Sequence, residues 1–593
     1  GAFTPLGRSR VYWGLRAYQR RNIPTVVLGI VHTSDEISRL GFWASCIPAT
    51  IHLDCGSGLW FRPLVPALSP PTSNATVYLR PKRPKEPGDM SLKNEHPPSR
   101  CGLDKTKTRV IEMSVERLQN YVGGEWIDST SKTTGQVHNP ATGELIGECP
   151  FSTTEELDHA VAVAKQAFDG WRRTPVEDRI QPLFRLKALL DANAKEMAAI
   201  LTREHGKTLS EALGSVQRGI QMVEAATGAP SLMMGQALED ISRGIDCQSV
   251  RQPVGVFTCI APFNFPAMVP LWFFPFAVAC GNTFVCKPSE QVPFSQKFMW
   301  ELVDQAGFPP GVLNLVNGAH DVVNGMIDNP DIDGISFVGS TPIAQYVYTK
   351  GSAKLKRVQA LGGAKNYIFL MADADLEFAL DSITESAMGC AGERCLAASV
   401  VLCIGGNKDK VREGLIKRMK ALVVGDGSKP GVHLGPVISA EHKERVLEKI
   451  QKGIDEGGEL VLDGRNPDVP GNGYFVGPTL FDNVKEGMSI AQEEIFGPVL
   501  CLMEVDTLEE GLAIAKRQPL ANANSIFTTS GKAARYFGYE VPASMAGINI
   551  GVAAPMSFFS FGGAKQSFFG DLKAHGREAF DFYTDRKVLI SRW

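Results

Sequence analysis

Residues 254–290 read VGVFTCIAPFNFPAMVPLWFFPFAVACGNTFVCKPSE. Two short apolar runs, VGVFTCIA (254–261) and NTFVCK (282–287), have strand composition and flank a longer apolar stretch, residues 265–281. That stretch carries Pro266, Pro270 and Pro275 and falls short of the ~20 apolar residues a membrane span needs, so it reads as a buried helix with its entry loop. Strands joined by so long a crossover pair in parallel rather than as a hairpin. The alternation continues outward. VLNLVN (312–317) and GISFVG (334–339) are further strands, with the helical run PFSQKFMWELVDQAG (293–307) before them. Beyond Gly362 a second series begins: YIFLM (367–371), helical LEFALDSITESAMG (376–389), then SVVLCIG (399–405). The fold class is therefore α/β, with parallel sheets flanked by helices.

Upstream, YVGGEWIDSTS (121–131) and TGQVHNPATGELIG (134–147) suggest small hairpins, and helical spacing runs through residues 154–228, with Thr154 and Glu156 as capping candidates. The tail DFYTDRKVLISRW (581–593) reads as a strand able to pair with another subunit. Residues 1–111 differ from the rest. Arg8, Arg10, Arg16, Arg20 and Arg21 precede the first acidic residue, Asp35, and SPPTSNATVYLRPKRPKEPGDM (69–90) has linker composition. An Arg-rich, acid-poor start fits a transit peptide, with an unstructured extension as the alternative.

With 593 residues, the chain exceeds a single core, so two or more domains are expected. A net charge of −3 gives no global field for nucleic acid or an acidic membrane surface. The 12 cysteines include no C-x-x-C pair, and no His lies at ligand spacing from them, so no metal site is expected.

Cys395 stands in GCAGERCLAASVV, where a helical pattern stops and a strand begins, a junction that opens onto a cleft. Arg394 beside it should lower the thiol's pKa, and the thiolate is the form that attacks a carbonyl. Asn264 follows the 254–261 strand, at the carboxyl end where α/β sheets gather ligands, and its amide could donate to a developing oxyanion. Lys287 ends the next strand, placed to hold ribose hydroxyls or phosphate. Gly339 and Ser340 form a turn at which a pyrophosphate could meet a helix N-terminus. No G-x-G-x-x-G fingerprint is present.

Taken in order, IAPFNFP (260–266), KPSE (287–290), FVGST (337–341), LGG (361–363), GERC (392–395) and EEIFGPV (493–499) resemble the aldehyde dehydrogenase superfamily from about residue 120 to the end. The resemblance implies two α/β domains with parallel-type sheets plus an oligomerisation arm. Residues 112–361 would bind NAD, 362–545 would carry Cys395, and 546–593 would complete the NAD domain and the arm, to which 244–252 also contribute. It implies Cys395 as nucleophile, with Asn264 and the Cys395 N–H as oxyanion hole. Lys287 and Glu494 would hold ribose and Phe496 would pack near the nicotinamide. Ala261, Phe263, Glu290, Gln291, Gly339, Ser340 and Gly362 complete the expected cofactor contacts.

Hydrolytic members carry Glu immediately before L-G-G; here Ala360 stands there. A site lacking that base favours a thiol acceptor over water, which points to coenzyme A as co-substrate. APFNFPAMVPLWFFPFA, NGAHDVVNGM, CAGERC, INIGVAAPM and SFFGDLKAHG resemble the CoA-acylating branch, the methylmalonate-semialdehyde dehydrogenases. That implies methylmalonate or malonate semialdehyde as substrate, with Arg218 and Arg394 pairing its carboxylate. It also implies a homo-oligomer (dimer or tetramer), a place in valine and pyrimidine breakdown, and a mitochondrial matrix location in a eukaryote or cytoplasm otherwise. Gln291, Ala344 and Ala564 depart from the superfamily's usual Arg, Gly and Trp. A hydrolytic aldehyde dehydrogenase is the alternative, and a catalytically idle relative a more distant one.

Overall fold

The computed structural model describes residues 115–593, together with two short strands, Arg16–Tyr18 and Thr25–Val27, that pair antiparallel. Residues 115–593 fall within the second of the chain's two units, Lys107–Trp593. Apart from those two strands, the leader and linker expected over 1–111 lie outside the described residues.

Two sheets organise the second unit. In the eight-stranded sheet the order is Phe568–Phe569, Arg357–Leu361, Ile332–Val338, Val256–Ile260, Thr283–Lys287, Leu313–Leu315, Asn120–Val122 and Glu125–Ile127. Its five middle strands are parallel, and its edges are antiparallel. Val256–Ile260 and Thr283–Lys287 are buried at every position, as parallel strands covered on both faces must be. The crossover between them is a 3-10 turn, Pro270–Trp272, and a helix, Phe274–Cys280, stopped by Gly281 at φ 100°. The apolar 265–281 stretch is thus core, and among the described residues no helix is long and apolar enough to cross a membrane.

Register matters more than the strand count. Ile260 faces Lys287 on one side and Phe337 on the other, and Val338 faces Leu361. The carboxyl ends therefore finish level, bringing residues 261, 287, 339 and 362 to one edge. The seven-stranded sheet draws on residues 366–548, in the order Glu459–Leu462, Thr479–Asp482, Val499–Val505, Ala398–Ile404, Asn366–Met371, Ala523–Phe527, Met545–Ile548.

The helical stretch 154–228 is not continuous. It comprises Thr154–Trp171, Val176–Arg179, Gln181–His205 and Leu209–Ala226. Pro175 cannot extend the first helix, and Gly206 ends the third at φ 92°. The first cap is Thr153, not Thr154: its hydroxyl accepts from the Glu156 N–H while the Glu156 carboxylate accepts from the Thr153 N–H. Thr208 and Glu211 repeat this capping box on the fourth helix. At the chain's end Thr584–Arg592 pairs antiparallel with Ile245–Pro253, which pairs in turn with Gln236–Ser242. This ribbon exposes Leu238 (65%), Ile590 (69%) and Trp593 (88%).

Candidate active site

The helix Leu376–Met388 ends in a tight turn, Gly389–Gly392, in which Cys390 and Ala391 take left-handed backbone angles (φ 51° and 53°). Gly392 lies so close to Gly497 that a Cβ would stand 2.1 Å from its carbonyl oxygen, so only glycine fits. Cys395 comes just after, before the strand Ala398–Ile404. Its carbonyl accepts from Asn366 Nδ2 (2.9 Å) and Asn522 Nδ2 (3.0 Å), which pins its backbone from two sides.

Cys395 keeps part of its surface open to a cavity of ≈ 420 Å³. The protein packed around it nevertheless pushes the thiol up to about 12, and the charge of Glu494 adds to the rise. The Cys395 N–H, turned toward its own sulfur, and Arg394 oppose the rise without cancelling it. Arg394 thus lowers this pKa, as its neighbouring charge predicts, but desolvation outweighs it. The Arg394 guanidinium turns to the Glu211 carboxylate (3.3 Å) and packs over Gly389, where a Cβ would meet it at 2.4 Å.

Asn264 is buried just past the Val256–Ile260 strand. One amide hydrogen is donated to the Glu393 carbonyl (2.9 Å), which leaves the other for a ligand. Behind it the fully buried Lys207 ammonium donates to the Asn264 backbone carbonyl and lies 4.1 Å from the Phe265 ring centre. Burial lowers the Lys207 pKa and raises that of the Glu393 carboxyl well above its usual range. Glu393 accepts from the Ile438 N–H (3.1 Å), with His442 at 3.4 Å and His205 at 3.7 Å. Sequence reasoning missed Lys207, Glu393, His205 and His442. Glu393 lies inside the GERC motif that was noticed, whereas nothing local marks Lys207.

The helix Leu209–Ala226 brings Glu211, Arg218 and Met222 to the same cavity as Cys395 and Arg394. Arg218 donates to the carbonyls of Pro555 (3.2 Å) and Ala554 (3.4 Å), which aims its guanidinium from both the helix and the C-terminal segment. The opposite wall is largely apolar: Phe265, Met268, Trp272, Leu396 and Phe561. Two carboxylates, Glu211 and Glu385, line the cavity. Glu211 is already engaged by the N–H and hydroxyl of Thr208 (3.0 and 2.9 Å), the Cys390 N–H (2.6 Å) and Arg394. Glu385 is exposed. Ala360 is fully buried in its strand between Phe337 and Phe569, and is not among the cavity's lining residues.

Along the carboxyl edge of the first sheet, the Ala261 N–H donates to the Lys287 carbonyl (3.0 Å), and the buried Lys287 ammonium meets Glu290 at 2.7 Å. Gly339 precedes Ser340, the N-cap of the helix Thr341–Ala353, whose hydroxyl makes no capping bond. The Gly362 N–H donates to the Ser567 carbonyl (2.9 Å). From the other sheet's side, Glu494 accepts from the Ala364 N–H (3.0 Å), and burial pushes its carboxyl up to about 7. Glycine at 363 lets that carboxylate approach, since a Cβ would stand 2.4 Å from it. Phe496, at φ 59°, meets Phe263 edge to face at 5.7 Å. Gln291 and Ser340 are exposed at the rim, and the Gln291 N–H bonds only within its own turn, to Ser289 (3.4 Å). A nicotinamide dinucleotide fits this edge: an ammonium and a carboxylate for hydroxyls, a helix N-terminus for the pyrophosphate and two aromatic rings beside the thiol's loop. Among the described residues no His, Cys, Asp or Glu cluster could hold a metal ion.

The profile of the Aldehyde dehydrogenase family matches residues 126–589. The chain is 51% identical over 481 residues to malonate-semialdehyde dehydrogenase 2 of Bacillus mycoides (strain KBAB4), covering 81% of this chain and 100% of that relative. It is 50% identical over 478 residues to malonate-semialdehyde dehydrogenase of Halalkalibacterium halodurans, with 81% and 99% covered. Among solved structures it is similar to methylmalonate-semialdehyde dehydrogenase from Oceanimonas doudoroffii (TM-score 0.80, 42% identity, 81% and 98% covered). Another similar structure, from Sinorhizobium meliloti 1021, was assigned the same activity and solved in complex with NAD (TM-score 0.80, 39% identity, 81% and 99% covered).

Proposed function

The chain belongs to the aldehyde dehydrogenase family, and from that premise we propose that it oxidises malonate or methylmalonate semialdehyde with NAD and transfers the acyl group to coenzyme A. The observation that carries this reading is that Arg218 and Arg394 line the same cavity as the Cys395 thiol. A substrate with a carboxylate near its aldehyde can pair with one cation while the carbonyl reaches the sulfur.

Cys395 gives up its proton and adds to the carbonyl carbon. The free amide hydrogen of Asn264 and the Cys395 N–H donate to the oxygen as it gains charge, a contribution of about 3–4 kcal/mol where such donors are preorganised. NAD, when bound, supplies the hydride acceptor for this carbon. Lys287 and Glu494 would hold its ribose hydroxyls, the helix N-terminus at Gly339–Ser340 would meet its pyrophosphate, and Phe496 would lie beside its nicotinamide. The acyl group then stands as a thioester on Cys395. Glu211 is poorly placed to activate water because its lone pairs already serve Thr208, Cys390 and Arg394. A thiol acceptor needs less assistance. Loss of the substrate's carboxylate as carbon dioxide leaves acetyl-CoA from malonate semialdehyde and propionyl-CoA from methylmalonate semialdehyde.

The two sheets correspond to a cofactor-binding part and a part carrying Cys395. The exposed ribbon of residues 236–253 and 584–592 supports a homo-oligomer, dimer or tetramer. Breakdown of valine and of pyrimidines yields such semialdehydes. The relatives named above are bacterial.

The deciding assay follows NADH with each semialdehyde, with and without coenzyme A, and weighs the acyl product by mass. CoA-dependent turnover to acetyl-CoA or propionyl-CoA is expected. Steady turnover to a free acid without coenzyme A refutes the acyl transfer, and undiminished oxidation by Cys395→Ser refutes the nucleophile.

A further inference from the structure

Phe496 stands with its backbone in the left-handed region (φ 59°), an angle that a bulky residue takes only when its surroundings hold it there. Its carbonyl oxygen lies 2.6 Å from His442 Nε2. His442 belongs to the helix Ala440–Asp455 and is buried. Its other ring nitrogen, Nδ1, lies 2.9 Å from Arg445 Nη2 on the same helix. A guanidinium only donates, so Nδ1 must be the bare nitrogen and Nε2 must carry the proton. Arg445 thereby fixes the tautomer that donates to Phe496. Burial, the largest influence, holds the imidazole down at about 4, so near neutral pH the ring is uncharged and keeps that arrangement.

The same histidine joins the cofactor edge to the oxyanion amide. Its ring meets Phe496 and Phe263 edge to face at 6.3 and 6.2 Å, and those two phenylalanines meet at 5.7 Å. The Glu393 carboxyl lies 3.4 Å from His442 Nε2, and the Glu393 backbone carbonyl accepts from the Asn264 amide. Gly497, next to Phe496, packs against Gly392 of the turn before Cys395, too closely for a Cβ. The Phe496 turn is thus held between the Cys395 loop and the His442 helix.

We propose that His442 is a positioning residue for the hydride step: through its Nε2–H it holds the Phe496 main chain in the left-handed turn, and so sets the aromatic wall beside the nicotinamide. This rests on the dehydrogenase reading above. His442 acts through Phe496 and touches no reacting atom. Without the donor, the strained turn relaxes toward ordinary backbone angles and the Phe496 ring leaves Phe263. The wall then no longer confines the nicotinamide to the productive angle. Ribose and pyrophosphate contacts lie elsewhere along the sheet edge, so the loss falls on the rate of hydride transfer rather than on affinity.

The test compares the full chain with His442→Leu, which removes both nitrogens, and His442→Gln, whose amide can donate to Phe496 and accept from Arg445. His442→Asn, shorter by one methylene than the glutamine variant, keeps a polar head that falls short of the carbonyl, and it replaces His442→Leu if that variant does not fold. In the cofactor-free protein, amide hydrogen exchange of the peptide 493–499 should speed up about tenfold in His442→Leu, the size expected for one lost hydrogen bond. His442→Gln should return it to within about twofold of the unaltered rate. The first turnover of NADH formation should slow about tenfold in His442→Leu, with a larger isotope effect for malonate semialdehyde deuterated at the aldehyde carbon. NAD affinity by calorimetry and alkylation of Cys395 by iodoacetamide should each change by less than about twofold, which a general loosening of the site would not allow. Unchanged exchange, a glutamine variant as slow as the leucine one, or a fall explained wholly by weaker NAD binding overturns the proposal. Failure of the unaltered chain to form NADH would count against the dehydrogenase reading, and the exchange experiment would still decide whether His442 holds the turn.

Discussion

Lys207→Met tests how the oxyanion amide is held. The Lys207 ammonium is buried, donates to the Asn264 backbone carbonyl and rests on the Phe265 ring, while the Asn264 side chain donates to the Glu393 carbonyl. Methionine keeps the stem's packing and removes the charge. A hydrogen bond from a charged group is worth about 1.5–3 kcal/mol, so the upper bound on the loss is roughly 150-fold. Only part of it reaches catalysis, because the lysine holds the backbone of Asn264 rather than its amide. The expected fall in the first-turnover rate of NADH formation is about tenfold, or about 1.4 kcal/mol. Asn264→Ala removes the donor itself and should cost about 10²–10³-fold. If the lysine acts through the amide, the double variant should be no slower than Asn264→Ala alone. Rapid-mixing measurements of the first turnover, with saturating semialdehyde and NAD, read all four corners of the cycle. Thermal melts report any loss of stability separately. Additive losses, or a Lys207→Met first turnover as fast as that of the unaltered protein, would refute the reasoning.

Arg218→Met should raise KM for malonate semialdehyde by about tenfold to 100-fold, the range for losing a charged hydrogen-bond partner, while kcat changes less; a fall confined to kcat would contradict carboxylate binding there. Burial holds the Cys395 thiol near 12. Without cofactor, its alkylation by iodoacetamide should therefore rise about tenfold per pH unit from pH 7 to 9, without a plateau, as followed by peptide mass analysis. A plateau below pH 9 would show that the thiolate is far better stabilised. The Glu494 carboxyl, raised to about 7, is mostly protonated below that pH and ionised above it. Ionisation turns it into a double acceptor for ribose hydroxyls, so NAD affinity measured by calorimetry should improve as pH rises through 7. Glu494→Gln should remove that step, and its persistence in the variant would assign it to another group.

Much of the fold was legible because its signals are local. The alternation of short β-branched runs with helical spacing follows from the side-chain periods of strand and helix, and those periods need no knowledge of distant contacts. The strands at 256–260, 283–287, 332–338 and 366–371 therefore stand where composition put them. Asn264 and Lys287 could be located at strand ends for the same reason. The break at Gly206 was visible in principle, since glycine commonly ends helices, yet the apolar spacing on either side concealed it.

What the tertiary structure decided was where side chains point and how much water they keep. Asn264 and Lys207 are 57 positions apart, and Arg394 and Glu211 are 183 apart. No periodicity relates such residues, so only the folded chain could pair Arg394 with Glu211 and set an ammonium against the backbone of Asn264. The direction of the Cys395 pKa depends in the same way on desolvation, which is a property of everything packed around the sulfur rather than of its neighbour in sequence. Trp272 and His575 meet only because the core crossover and the C-terminal segment close on one cavity. Periodic pattern is inherited from the backbone, whereas charge pairing and dehydration arise from contacts that the chain makes only once it has closed on itself.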